Sequence, residues 1–217
     1  MNVKFADIQL VSDTSMEGEL LKSKVLMKAG SIDSPLDINS ASYELEFGGL
    51  SMQGMQSYVD KMENVPLVGA DSEEMDSMVA TAMDAYQALI SPGASFGINL
   101  AMNNSGGDIE TSFDATFKGD GSVSGYDSVA TIRDLASVLA LKLQLNADEA
   151  ALNATPAAML LMHPMAEEYL VYNGSSYAAD IRAEDLILDV NGNPQSLEDM
   201  FGGMLSMPLD MSMLSAF

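Results

Sequence analysis

One short motif in the chain has the residue types of a catalytic nucleophile. The run from Gly93 to Gly97 matches the G-x-S-x-G elbow of hydrolases around Ser95, and the single histidine, His163, follows it. In that elbow a strand precedes the serine and a helix follows it, so that the hydroxyl stands at a sharp turn. Here the pattern is helix, then the Ser91-Pro92-Gly93 breaker, then strand. We therefore predict a connecting loop, no enzyme and no catalytic residue.

A second stretch carries oxygen ligands at the spacing of a calcium loop. Asp189, Asn191 and Asn193 stand where positions 1, 3 and 5 of an EF-hand would be. That loop also needs glycine at position 6 and glutamate at position 12, where this chain has Pro194 and Met200. The motif is incomplete, and we predict neither a metal site nor a cofactor.

Methionine is the most unusual component of the chain, with 18 residues. Thioethers suit Cu(I), and the C-terminal methionine cluster is the better candidate for it. Methionine at helical spacing more often fills irregular apolar space, because its side chain is flexible. Spacings of three and four predict amphipathic helices from 51 to 62 and from 71 to 90. The expected apolar groove is lined by Met52, Met55, Val59, Met75, Met78, Val79, Met83 and Tyr86.

The charge of the chain excludes some partners. Of the 217 residues, 32 are acidic and 9 are basic, which gives a net charge of −23. Binding to nucleic acid or to an anionic membrane surface requires clustered lysine and arginine, so we predict neither. The absence of cysteine excludes disulfides and thiolate chemistry. The hydrophobic content of 47% argues against general disorder.

Alternating apolar residues predict strands in three regions of the chain. An N-terminal meander has strands at 3–12, 19–28 and 36–47, with a turn over 13–18. A hairpin follows at 96–102 and 109–117, and a leucine-rich strand at 137–145. The dipeptides Asn173-Gly174 and Asn191-Gly192 predict two C-terminal hairpin turns, because both residue types accept positive φ.

The helical signals lie between these strands. Besides the two methionine-bearing helices, we predict short helices at 127–136 and from Thr155 to about Met162. Asn146 and Glu149 have the spacing of a capping box, as do Asp71 and Glu74.

The expected fold is α+β, with curved antiparallel sheet packed on or wrapped around amphipathic helices. We predict one domain over 1–217, with a weak internal repeat of strands followed by helices, 1–92 and 93–217.

The segment 167–194 resembles the C-terminal end of the YdgA-like family, a family of Gram-negative envelope proteins of unknown function. The similarity includes Gly174, Tyr177 and the run from Asn191 to Pro194, and an upstream strand–glycine–strand element with Gly107 at its turn. It covers residues 40–197. Asp185 departs from the glycine expected there. The resemblance implies a longer exported protein, periplasmic or anchored in the inner membrane, of which this chain is the C-terminal part.

Two functions are consistent with these observations. The first expectation is a non-enzymatic envelope protein that binds a protein partner or itself through β edges and helix faces. The alternative is a carrier of lipid or another apolar ligand in a groove lined by methionine and leucine.

Overall fold

The computed structural model describes residues 4–33, 37–62, 90–118, 131–161, 163 and 166–207. These residues form mostly antiparallel strands, ten in one sheet, with a few short helices. The strands are β1 (Lys4–Glu17), β2 (Leu20–Asp33), β3 (Ile38–Ser51), β4 (Ile90–Asn104), β5 (Gly107–Phe117), β6 (Leu139–Asp148), β7 (Val171–Tyr172), β8 (Ser176–Glu184), β9 (Ile187–Val190) and β10 (Asn193–Ser196).

The sheet follows the chain with little rearrangement. Strands β1 to β6 are neighbours in sequence order and are followed by β8, β9 and β10, while the short β7 pairs with β8. Within the described residues the sheet is open, with β1 at one edge and β10 at the other. The predicted meander and the hairpin around Gly107 are confirmed.

The helices are shorter than the strands. They are α1 (Met52–Met62), α2 (Ile132–Val138), α3 (Glu149–Asn153), α4 (Ala158–Leu161), α5 (Ala166–Tyr169) and α6 (Leu197–Phe201), with a 3₁₀ helix at Gly202–Ser206. Among these described helices, none combines the length and the apolar character that a membrane span requires.

Helix starts follow side-chain capping where the sequence supplies it. Ser51 Oγ accepts a hydrogen bond from Gly54 N at 3.1 Å, which confirms the predicted start of α1. Thr131 and Asp134 form a reciprocal capping box at α2. The box predicted at Asn146 and Glu149 is wrong, because Asn146 lies in β6 and the helix begins after Asp148.

Residues with positive φ explain why some strand boundaries differ from the predicted ones. Strand β1 continues to Glu17 and turns at Gly18, whose φ of 66° is the left-handed region, so the predicted turn over 13–18 is wrong. The Asn191-Gly192 turn is confirmed, with φ of 54° and 84°. An unpredicted turn joins β8 to β9 at Asp185 and Leu186, both with positive φ.

The predicted helix at 71–90 lies outside the described residues apart from its last residue. Ile90 and the Ser91-Pro92-Gly93 breaker belong to β4. The predicted connecting loop around Ser95 is therefore wrong, since Ser95 pairs with Thr116 inside the sheet.

A buried asparagine fastens α3 to the turn between β4 and β5. Asn104 is 3% exposed, donates to the Ala151 carbonyl at 2.9 Å, and accepts from Gly106 N at 2.8 Å. A Cβ at Gly106 would collide with the backbone of Ala150, so only glycine allows this approach. The contact positions the helical segment beside the sheet.

We expect Asn104→Ala to reduce the free energy of unfolding by about 1–3 kcal/mol, since it removes two hydrogen bonds and leaves the part-buried Gly106 N–H without its acceptor. Chemical denaturation measures this change. The matched control is Asn39→Ala, which removes an exposed hydrogen bond to Asn103 Oδ1 and should change stability by less than about 0.5 kcal/mol. Equal effects of the two substitutions would contradict the anchoring role of Asn104.

Candidate functional site

The register of the sheet separates an apolar face from a polar face. One row of directly paired residues crosses from β2 to β9 without a polar side chain. The next row begins with Met27, Tyr43 and Leu100. We call the side of the sheet that carries these rows the apolar face. The first row consists of Val25, Leu45, Ile98, Phe113, Leu143, Ile181 and Val190.

Much of this apolar face is accessible. Met27 is 49% exposed, Leu100 44% and Leu143 41%. Large exposed apolar patches usually mark binding surfaces, because water contact with them is unfavourable. The apolar face is therefore the main candidate for a binding site.

A groove of about 520 Å³ lies on this face near the β1 edge, and we call it the edge groove. Its apolar lining comes from five strands, β1 to β5. Asp7, with a φ of 54°, interrupts the alternation of β1. Phe5 and Ile8 both line the groove although they are three positions apart, a spacing that places residues of a regular strand on opposite faces. The apolar lining residues are Phe5, Ile8, Met27, Ala29, Ile32, Ala41, Tyr43, Leu100, Ala101, Met102 and Ile109, of which Ala101 belongs to the polar face by its register with Ser42 and Glu110.

A second apolar cavity of about 370 Å³ is lined by the sheet, by residues within 152–161 and by Leu170. Leu152 of α3, Pro156 and Leu161 of α4 line it together with Leu145 of the sheet. We call it the helix-covered cavity. Met102 and Ile109 line both this cavity and the edge groove, so the two hollows meet at these side chains.

The opposite, polar face carries ion pairs between neighbouring strands. Lys24 Nζ lies 2.7 Å from Glu44, whose carboxylate also accepts from Asn99 Nδ2 at 3.0 Å. Lys24, and then Asn99, lower the pKa of Glu44. Within β8, Arg182 lies 2.6 Å from Asp180 and lowers the pKa of that carboxyl.

The polar face also has a hollow of about 700 Å³, larger than either apolar cavity. Glu44, Asn99 and Asp180 line it, and their polar atoms already bind one another or neighbouring cations. Because these groups are satisfied within the protein, we favour the apolar face as the binding surface despite the smaller volumes.

The G-x-S-x-G motif and the calcium-loop-like motif lie in a strand and at a turn of the described sheet. Ser95 is half-buried within β4, and His163 is exposed. Asp189 Oδ1 accepts from Gly192 N at 2.7 Å, and Asn191 Oδ1 accepts from Asp180 N at 2.8 Å, so these oxygens serve the turn. Within the described ranges, no group of three histidine or acidic side chains could hold a metal ion.

The methionine groove predicted from sequence falls only partly on described residues. On α1, Met52 and Val59 are exposed and Met55 is half-buried. The remaining predicted residues, Met75, Met78, Val79, Met83 and Tyr86, lie outside the described residues, so that groove remains a prediction.

Sequence reasoning missed the strand residues that line the edge groove and the helix-covered cavity. Their signal was present, since Tyr43, Leu100 and Met102 each occupy an apolar position in an alternating strand. Alternation identifies a face but does not reveal whether helices cover it, which depends on tertiary packing.

Comparison with protein-family models, with curated proteins and with solved structures gives no match to this chain. The resemblance to the YdgA-like family therefore stays a prediction.

The polar-face ion pair gives a prediction about acid stability. We expect Glu44→Gln to lower the free energy of unfolding by about 0.5–1 kcal/mol at neutral pH, a range for solvent-screened pairs. The folded-state pKa of Glu44 lies below its ordinary value of 4.5. The contribution of the Glu44 carboxylate to the free energy of unfolding is therefore present above pH 4.5 and is lost as the pH falls through the folded-state pKa.

Urea denaturation across this pH range tests the expectation, which requires the two stability curves to converge in acid. Glu110→Gln is the control, since Glu110 lies on the same face and forms no ion pair with another described residue. A gap between wild type and Glu44→Gln that stays constant with pH would contradict the assignment.

Proposed function

We propose that the protein binds the acyl chain of a lipid along the apolar face of its sheet. The observation that carries this proposal is that the edge groove and the helix-covered cavity share Met102 and Ile109. Two apolar hollows that meet at common side chains provide an elongated site, and an acyl chain is an elongated apolar ligand.

The size and lining of the site support this choice. Small-molecule sites in proteins generally enclose about 300–1,000 Å³, and the edge groove encloses about 520 Å³. Each methylene removed from water contributes about 0.8 kcal/mol. An acyl chain that contacted both hollows would therefore gain affinity with each carbon it placed there.

The charge of the protein restricts the head group of the lipid. The net charge of −23 repels an anionic head group. The edge groove is bordered by apolar side chains such as Phe5 and Ile32 at the β1 end. We therefore propose a lipid with a zwitterionic or neutral head group that stays in water beyond the groove.

This role requires no catalysis, and we propose a non-enzymatic carrier or binding protein. The YdgA-like resemblance adds the proposal that it acts in the bacterial envelope. We also retain the prediction that amphipathic helices, including the one at 71–90, pack on a curved sheet. Lipid binding to the described strands does not depend on the absence of catalysis, on the location in the envelope or on the packing of these helices.

The binding test uses palmitoyl lysophosphatidylcholine below its micellar concentration, measured by equilibrium dialysis. We expect saturable binding that Leu100→Lys weakens by about tenfold or more, since it places a charge on an apolar surface. The matched control is Asn99→Lys, one residue away on the polar face and also exposed. It should leave the dissociation constant within about twofold, since its side chain does not reach the apolar face.

Absence of saturable binding to the wild-type protein would overturn the proposal. Equal weakening by Leu100→Lys and Asn99→Lys would also contradict it, because it would point to a general effect of charge. Circular dichroism of each variant verifies that the sheet is intact.

A second function, binding of a protein partner through a β edge, is favoured by an independent observation. Strand β1 is fully exposed along its length.

A further inference from the structure

The two edges of the sheet differ in length and in protection. Strand β10 has four residues, contains Pro194, and leads directly into α6. A short edge strand with proline resists pairing with another chain. Strand β1 has 14 residues, all of them exposed, and would extend about 47 Å. An edge of that length is a template for an additional strand.

The regular part of this edge, Ile8 to Glu17, presents different chemistry on each face. Ile8 is 62% exposed and Leu10 is 70% exposed, and both pair with residues on the apolar face of β2. On the other face lie Asp13 and Glu17, at even spacing with no basic residue between them. Ser12, Thr14 and Met16 share the face of Ile8 and Leu10, and Val11 shares the face of the two carboxylates. The edge is therefore uncharged on one side and acidic on the other.

The acidic side of β1 is neutralised only in part by the neighbouring strand. Lys24 stands opposite Asp13 in the β1–β2 register, but its ion pair is with Glu44 of β3. Lys22 forms its ion pair with Glu46 of β3 at 2.8 Å and also attracts the Glu17 carboxylate electrostatically. Among the ion pairs of the described residues, none includes Asp13 or Glu17. Asp13 in particular is available to a basic partner.

We propose that Ile8–Glu17 binds a β-strand of a partner protein in which apolar and basic residues alternate. Addition of a strand to a sheet edge derives affinity from backbone hydrogen bonds and specificity from alternate side chains. The protein contains an example of such a strand, since Leu20–Ala29 of β2 pairs with Ile8–Glu17 on its other edge. That segment reads LLKSKVLMKA, with lysines on the polar face.

A second copy of this chain is a less suitable occupant. Antiparallel pairing of two β1 edges would place acidic faces side by side, and like charges across strands are destabilising. The net charge of −23 adds a long-range repulsion between copies. The added strand must therefore bring positive charge.

The experiment measures binding of two labelled peptides to the full chain by fluorescence anisotropy. One peptide has the sequence LLKSKVLMKA, and the other replaces its lysines with glutamates, LLESEVLMEA. We expect the lysine peptide to bind at least about tenfold more tightly, with affinity that falls as salt screens the carboxylates. Deuterium exchange should slow in residues 8–17 and remain unchanged in β2.

The variant Asp13→Lys should weaken binding of the lysine peptide and strengthen binding of the glutamate peptide. Glu110→Lys is its matched control, because it makes the same charge change at an exposed site on β5 of the same face. Equal affinity of the two peptides, or equal effects of Asp13→Lys and Glu110→Lys, would overturn the proposal. If the protein dimerises on its own and Leu10→Lys abolishes the dimer, a second copy of the chain is the occupant and the choice of a basic partner is overturned. None of these outcomes depends on whether the protein binds lipid.

Discussion

The structure depends on the register that the antiparallel strands share. In one row, each pairing from β2 to β6 places an apolar side chain opposite an apolar side chain, so that Val25, Leu45, Ile98, Phe113 and Leu143 are continuous. A slip of one residue in any strand would move its apolar set to the water-facing side. Burial of the row is incomplete, since Leu143 is 41% exposed. The same register that organises the sheet therefore leaves apolar surface in contact with solvent.

Two local features shape that surface into a site. The buried Asn104 holds α3 close to the β4–β5 turn, and Leu152 of α3 forms part of the wall of the helix-covered cavity. The left-handed backbone at Asp7 interrupts the alternation of β1 where Phe5 and Ile8 line the edge groove. The β1 edge thus borders the proposed lipid site and also carries the proposed strand-binding site, although the two rest on different chemistry.

The sequence predicted the strands better than the site. Period-two alternation located most strands, and Asn191-Gly192 identified its turn because both residues tolerate positive φ. The turn at Asp185-Leu186 gave no comparable signal, since leucine seldom adopts a φ of 61° and tertiary pairing of β8 with β9 imposes it. The groove residues were recognisable as apolar positions, but their exposure depends on which elements cover the sheet. Helical spacing drew attention to methionines such as Met52, although Met102 on a strand joins the two cavities.

The most direct test of the central claim is a scan of single cysteines along β4, which the absence of native cysteine makes possible. Cysteine at residues 99, 100, 101 or 102 would carry a polarity-sensitive fluorophore, with palmitoyl lysophosphatidylcholine as the ligand. The account predicts a blue shift of emission on lipid addition for labels at 100 and 102 and none at 99 and 101. Equal shifts at all four positions, or shifts confined to 99 and 101, would contradict a ligand bound to the apolar face.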